Sequence, residues 1–213
     1  MTEGMSEQVQ LHLKTSRENL HADFDEMLGA TEVDAVFDDS LARLRGEGKI
    51  QDYVPALAEK LTRERLKGAA QHRGLLSKSV PQVLFVAAHD TGRGQMGAAL
   101  MQQLAGGRID VQSAGTLGSV APVDPGVAAT MREVGIELDG VYSKPLTPEV
   151  LDAADVVVTM SKSTGAFEIP SSVRHVDWRL GAPGGAPPEE LRRIREDIKA
   201  RVEALIDELA PKA

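Results

Sequence analysis

The segment 87–94, which reads AAHDTGRG, carries the residues of this chain best suited to binding a tetrahedral oxyanion. A turn-rich loop that leads into a helix presents successive backbone N–H groups and the positive end of the helix dipole to an anion. An arginine can hold two oxygens of that anion in a bidentate fork, and glycines permit positive φ angles. The predicted oxyanion-binding residues are Ala88, His89, Asp90, Thr91, Gly92, Arg93 and Gly94.

The residue at the end of the preceding apolar run, where a nucleophile would stand, is Ala87. The whole chain contains no cysteine, which excludes disulfides, thiolate metal sites and a cysteine nucleophile. We expect no metal site and no cofactor. The loop therefore predicts anion binding without the chemistry that often accompanies it.

Composition places the chain among ordinary globular proteins. It has 213 residues, of which 42% are hydrophobic, and a net charge of −8. An acidic chain is a poor non-specific ligand for nucleic acid, and no apolar run approaches the length of a membrane span. The N-terminus, MTEGMSEQVQ, has no basic region followed by an apolar stretch. We expect a cytoplasmic protein with no nucleic-acid or membrane partner.

Residues 1–75 are predicted to form a domain of three helices. The first helical pattern ends at Gly29, Thr31 with Asp34 suits the N-cap of the second, and Asp52 with Pro55 suits the start of the third. Three helices in so short a segment have a thin core. We expect the bundle to bury its apolar faces against a second copy, which predicts a homodimer through residues 1–75. The alternative is an N-terminal helical cap on the larger domain.

Residues 80–213 alternate between strand and helix patterns, which predicts an α/β domain with helices on both faces of a four-stranded parallel, flavodoxin-like sheet. Ligands bind such sheets at the carboxyl ends of the strands, where the loop 87–94 lies. The predicted strands are 82–87, 109–114, 155–160 and 173–178. The predicted helices are 94–105, 125–135, 147–154 with Thr147 as its cap, and 188–210.

Five segments carry a family resemblance: VLFVAAHDTGRGQM (83–96), SAGT (113–116), AATMREVGIELDGVYSKPLT (128–147), ADVVVTM (154–160) and VDW (176–178). In this order and spacing they resemble the low-molecular-weight protein tyrosine phosphatase and arsenate reductase superfamily. The helical N-terminus resembles an extension found on some actinobacterial arsenate-reductase-like proteins, where it is thought to mediate dimerisation.

The resemblance implies that the catalytic groups are missing. The family signature is a cysteine, five residues, an arginine and a serine or threonine, and these positions fall on Ala87, Arg93 and Gly94. The cysteine attacks phosphorus, and in the phosphatases an aspartate of an Asp-Pro pair protonates the leaving group. The counterpart of that pair here is Ala182 with Pro183. The further cysteines of the arsenate reductases are absent as well.

The resemblance also assigns supporting residues. Ser113 is expected to brace the loop by hydrogen bonding, and Trp178 is expected at the rim of the pocket. Asp90 stands where the family usually has asparagine, and a carboxylate there would oppose a bound dianion.

We therefore predict a pseudophosphatase that binds phosphate, arsenate or a phosphorylated partner in a sensing or regulatory role. Two alternatives stay open. One is a dimeric structural or interaction protein with a vestigial pocket. The other is an enzyme with substitute phosphatase chemistry through Asp90 or His89.

Overall fold

The computed structural model describes residues 6–44, 54–117, 120–138, 140–160, 167–181 and 184–211. The chain divides into two compact units, Met1–Ser77 and Lys78–Ala213. In the described ranges, no helix is long and apolar enough to cross a membrane.

The first unit contains three α-helices, as predicted: α1 (Glu7–Leu28), α2 (Ala30–Leu44) and α3 (Val54–His72). The Ser6 side chain caps α1 by accepting a hydrogen bond from the Val9 amide, and Gly29 ends this helix at a φ of 83°. The N-cap predicted at Thr31 is wrong, because α2 already begins at Ala30, directly after that glycine. Asp52 lies outside the described residues.

The apolar faces of the three helices are buried within this unit. Leu20 and Phe24 of α1, Phe37 of α2 and Leu66 of α3 are all buried. The buried Arg65 of α3 donates to the Ser40 hydroxyl at 2.9 Å and pairs with Asp39 at 2.7 Å. These helices bury most of their apolar residues within a single chain, and the homodimer through residues 1–75 stays a prediction.

The second unit is the predicted four-stranded parallel sheet with helices, in the strand order β2-β1-β3-β4. The central strand β1 pairs with β2 on one side and β3 on the other, as expected of a buried strand. The elements, in chain order, are β1 (Gln82–Ala87), α4 (Arg93–Ala105), β2 (Asp110–Gly115), α5 (Pro125–Arg132), α6 (Pro148–Ala153), β3 (Val156–Thr159), β4 (Arg174–Asp177) and α7 (Pro188–Leu209).

Alternate residues of β1 enter two separate cores, because successive side chains of a strand point to opposite faces. Phe85 packs into the larger core with Met96 of α4 and Ile198 of α7. Leu84 packs into the smaller core with Leu151 of α6. Both faces of the sheet are therefore covered, and the carboxyl ends of the strands remain as the edge where a ligand can approach.

Candidate functional site

The connection 88–92 between β1 and α4 crosses the carboxyl edge of the sheet, and its carbonyl groups are held by neighbouring segments. The carbonyl of Ala87 accepts from the Thr116 amide at 3.0 Å, and that of Ala88 from Leu117 at 2.9 Å. The carbonyl of Thr91 accepts from the Asp124 amide at 2.9 Å. These bonds fix the conformation of the loop from its acceptor side.

The backbone N–H groups of the same loop are left available. Within the described ranges, no acceptor is hydrogen-bonded to the amides of residues 88–95. The last of these amides belong to the first turn of α4, and Gly92 at its N-cap provides no side-chain cap. Free amides at a helix N-terminus, together with the preceding loop, form a favourable environment for an anion.

Arg93 begins α4 and its side chain is half-buried. Its Nη1 donates to the carbonyl of Leu180 and, at 2.8 Å, to that of Gly181. Burial lowers the pKa of this guanidinium, but arginine remains a cation at neutral pH. In the part of the chain that the structure describes, Nε and Nη2 have no hydrogen-bond partner. The group is therefore held at one end and can donate to an anion at the other.

Asp90 braces the loop through its buried carboxyl group. Among the described residues it is the non-glycine residue with a positive φ, 52°, and it is only 1% exposed. Its Oδ2 accepts from the Gln95 amide group at 2.9 Å, from the Ser113 hydroxyl at 3.1 Å and from the Lys144 backbone N–H at 3.4 Å. Burial raises the pKa of Asp90 to about 7, against the lowering effect of the Lys144 charge and of these hydrogen bonds.

Two glycines allow the loop to pack this closely. A Cβ on Gly94 would lie 2.7 Å from Oδ1 of Asp90, and one on Gly115 would lie 3.2 Å from the carbonyl oxygen of Ala88. The first distance is shorter than a real Cβ contact allows. Oδ1 is buried and, within the described residues, has no hydrogen-bond partner. The same carboxyl group thus has one oxygen with three donors and one with none.

The structure changes the role expected for Asp90. Its side chain was expected to line the anion site, but the left-handed backbone turns the carboxyl group into the protein interior, where it braces the loop. Ser113, expected to support the loop, donates to this carboxyl group. Gln95 and Lys144 were missed by sequence reasoning. Gln95 could have been suspected as a polar residue in the first turn of α4, but Lys144 contributes a backbone N–H that no side chain reveals.

Trp178 does not lie at a pocket rim as expected. It is 6% exposed and belongs to the larger core, with its ring centroid 5.7 Å from that of Phe85. Packing of the large apolar indole against another aromatic ring favours its burial in the core. Ala182, the predicted counterpart of the general acid, lies outside the described residues.

A second polar network, missed by sequence reasoning, stands at the same edge of the sheet. The Thr159 hydroxyl lies 2.9 Å from His175 Nε2 and donates to Asp177 Oδ1 at 3.2 Å. Arg179 donates to the other oxygen of Asp177 at 2.7 Å, and this hydrogen bond lowers the pKa of that carboxyl group from its usual value. This network orders the chain just before the carbonyls that hold Arg93.

The arrangement can bind an anion but presents only a methyl group, on Ala87, where the loop leaves the strand. His89 is exposed on the loop, away from the Asp90 hydrogen bonds. Among the described residues, no cluster of three or more His, Cys, Asp or Glu side chains could hold a metal ion.

Comparison with known proteins identifies the fold and the family. The family described as Low molecular weight phosphotyrosine protein phosphatase matches residues 82–213. A glutaredoxin arsenate reductase of Synechocystis sp. is 34% identical over 132 residues, covering 61% of this chain and 98% of that protein. An arsenate reductase of Staphylococcus epidermidis is 29% identical over 123 residues, covering 57% of this chain and 92% of its own.

Solved structures extend the likeness to the helical unit. A thioredoxin-dependent arsenate reductase of Corynebacterium glutamicum has a TM-score of 0.77 at 28% identity, covering 92% of this chain and 96% of that one. An arsenate reductase in the phosphate binding state has a TM-score of 0.54 at 32% identity and covers 62% of this chain and 100% of its own. With the fold, the loop and the family match in agreement, the chain belongs to the low molecular weight phosphotyrosine protein phosphatase family.

Proposed function

We propose that this chain is a non-catalytic member of the family that binds phosphate, arsenate or a phosphorylated partner and acts as a sensor or regulator. The observation that carries the proposal is the run of backbone amides at 88–95, which have no acceptor among the described residues, together with Arg93, whose side chain is held through Nη1. Backbone amides and a fixed guanidinium together are sufficient to bind a tetrahedral oxyanion.

The alanine at position 87, where the family has its nucleophilic cysteine, favours binding of an oxyanion over catalysis. With Ala87 at the base of the loop, no thiolate lies beneath a bound dianion, so one source of repulsion is removed. Asp90 is poorly placed as a substitute nucleophile, because its carboxyl group is buried and bonded to Gln95 and Ser113. The similar arsenate reductase solved in the phosphate binding state supports the choice of ligand class.

A homodimer through residues 1–75 remains a proposal. Its support is Leu11 of α1, a large apolar side chain that is 61% exposed. Light scattering of the full chain measures the assembly directly. Twice the chain mass of 22.8 kDa is expected, and a Leu11→Glu variant of half that mass would place α1 in the interface. A wild-type mass equal to one chain would refute the dimer.

Calorimetric titration with phosphate and with arsenate tests the main proposal. We expect saturable binding in the micromolar to low-millimolar range, about −8 to −4 kcal/mol. Arg93→Ala should abolish it. The matched control is Arg193→Ala, which removes the same charge from a side chain of α7 that is 77% exposed and paired with Glu190. Loss of binding in both variants would indicate a general charge effect, and no binding by the wild type would refute the proposal.

A further inference from the structure

Asp90 differs from the other groups of the loop because only one of its two carboxyl oxygens is satisfied. Three donors, from Gln95, Ser113 and Lys144, converge on Oδ2. Oδ1 faces the first turn of α4 at Gly94, buried and without a partner in the described ranges. A buried acceptor without a donor is energetically costly, and the cost is greatest when the group carries a charge.

We propose that the oxyanion and a proton bind to this site together, the proton residing on Oδ1 of Asp90. The inference rests on the proposed function, since it concerns the same loop. It adds a regulatory property that asparagine at this position could not provide, because an amide does not titrate in this range.

The geometry places the two negative charges close together. The backbone amide of Asp90 belongs to the run that would contact the anion, and its Oδ1 packs against Gly94 of the same run. A dianion held by these amides therefore penalises a carboxylate that packs against the same run. Protonation of Oδ1 removes this penalty and leaves the three hydrogen bonds to Oδ2 intact.

Apart from Lys144, the described groups around Asp90 do not neutralise its carboxylate. Lys144 is the cation that acts on it from the segment before α6. From α4 and β2 the contacts are the uncharged Gln95 and Ser113. On the loop itself, Arg93 is turned to the carbonyls at 180–181 and His89 is exposed. Burial already raises the pKa of Asp90 to about 7 in the free protein, so a nearby anion moves it further upward through neutral pH.

Inorganic sulfate is the probe for this inference, because it stays a dianion near neutral pH and any proton taken up must go to the protein. Calorimetry at pH 8 in buffers of different ionisation enthalpy counts those protons. We expect uptake of nearly one proton per sulfate bound, and an affinity that falls up to about tenfold per pH unit above pH 7. Near pH 5.5, where Asp90 is already protonated in the free protein, uptake should vanish.

Asp90→Asn should bind sulfate with no proton uptake and with an affinity independent of pH. His89→Gln and His175→Gln remove the two histidines of this unit, and proton uptake should persist in both variants. If Asp90→Asn does not fold, proton uptake is measured in a variant that carries both His89→Gln and His175→Gln, and loss of uptake there overturns the inference.

The outcomes separate the two proposals. Phosphate or sulfate binding without proton uptake assignable to Asp90 overturns this inference and leaves the proposed function standing. If sulfate fails to bind, the same count is made with phosphate, and the difference between wild type and Asp90→Asn should again be nearly one proton at pH 8. No binding of either anion from pH 5.5 to 8 overturns the proposed function and this inference with it.

Discussion

Replacing Asp90 by asparagine should change how the stability of the α/β unit depends on pH. Asparagine can keep its oxygen at the position of Oδ2, where three donors converge, and place its amide nitrogen where Oδ1 has no donor. The substitution therefore removes the titration while preserving the hydrogen bonds.

The magnitude follows from linkage. The pKa of Asp90 rises from 3.8 to about 7 on folding, so between these values the folded protein binds more protons than the unfolded chain. Stability consequently falls as the pH rises through this window. At 1.36 kcal/mol per pH unit, a pKa difference of about 3 corresponds to roughly 4 kcal/mol of unfolding free energy lost between pH 4 and pH 7.

Denaturant unfolding followed by Trp178 fluorescence measures this effect. Trp178 is the only tryptophan of the chain and is buried in the core of this unit. The stability of Asp90→Asn minus that of the wild type should rise by about 3–4 kcal/mol from pH 4.5 to pH 7.5. Other carboxylates, such as Asp177, titrate equally in both proteins and cancel. A difference that does not vary with pH would refute the assignment of Asp90 as a buried, weakly acidic group.

Three further substitutions test other parts of the account. Ala87→Cys should restore a thiol but no steady-state hydrolysis of p-nitrophenyl phosphate, since Gly94 supplies no hydroxyl, and turnover would contradict the loss of the supporting groups. Gly97→Ala would place a Cβ 2.9 Å from the Phe85 ring. Because this overpacking outweighs the gain in helix propensity, the free energy of unfolding should fall by about 1 kcal/mol. A more stable variant would argue against this packing. Arg195→Ala removes the donor that now bonds the Thr130 carbonyl at 2.7 Å. The free energy of unfolding, measured by denaturation, should fall by about 1–3 kcal/mol, whereas the exposed Arg193→Ala should change it very little. Equal effects would deny Arg195 a structural role.

The sequence predicted the sheet well because its signals are strong. The apolar run 82–87 became β1 with the predicted limits, since a strand buried on both faces has few polar residues to obscure its ends. Turn chemistry was a weaker guide. Thr31 resembled an N-cap, but Gly29 ended one helix so sharply that the next began at once at Ala30.

The sequence predicted the course of the candidate loop but not the orientation of Asp90. Spacing located the amides of 88–94 and Arg93, because these follow from one strand, one loop and one helix. The inward turn of Asp90 depends on a positive φ that the residue type permits without requiring. Burial of Trp178 depends on Phe85, a residue distant in sequence, and local patterns do not reveal such a contact.

Amide nuclear magnetic resonance during a phosphate titration tests the central claim most directly, since it observes the proposed donors one by one. We predict saturable shifts concentrated in the backbone amides of residues 88–95, with the same midpoint for each, and their loss in Arg93→Ala. Unchanged loop amides at saturating phosphate, or shifts confined to other parts of the chain, would contradict the conclusion that this loop is an oxyanion-binding site.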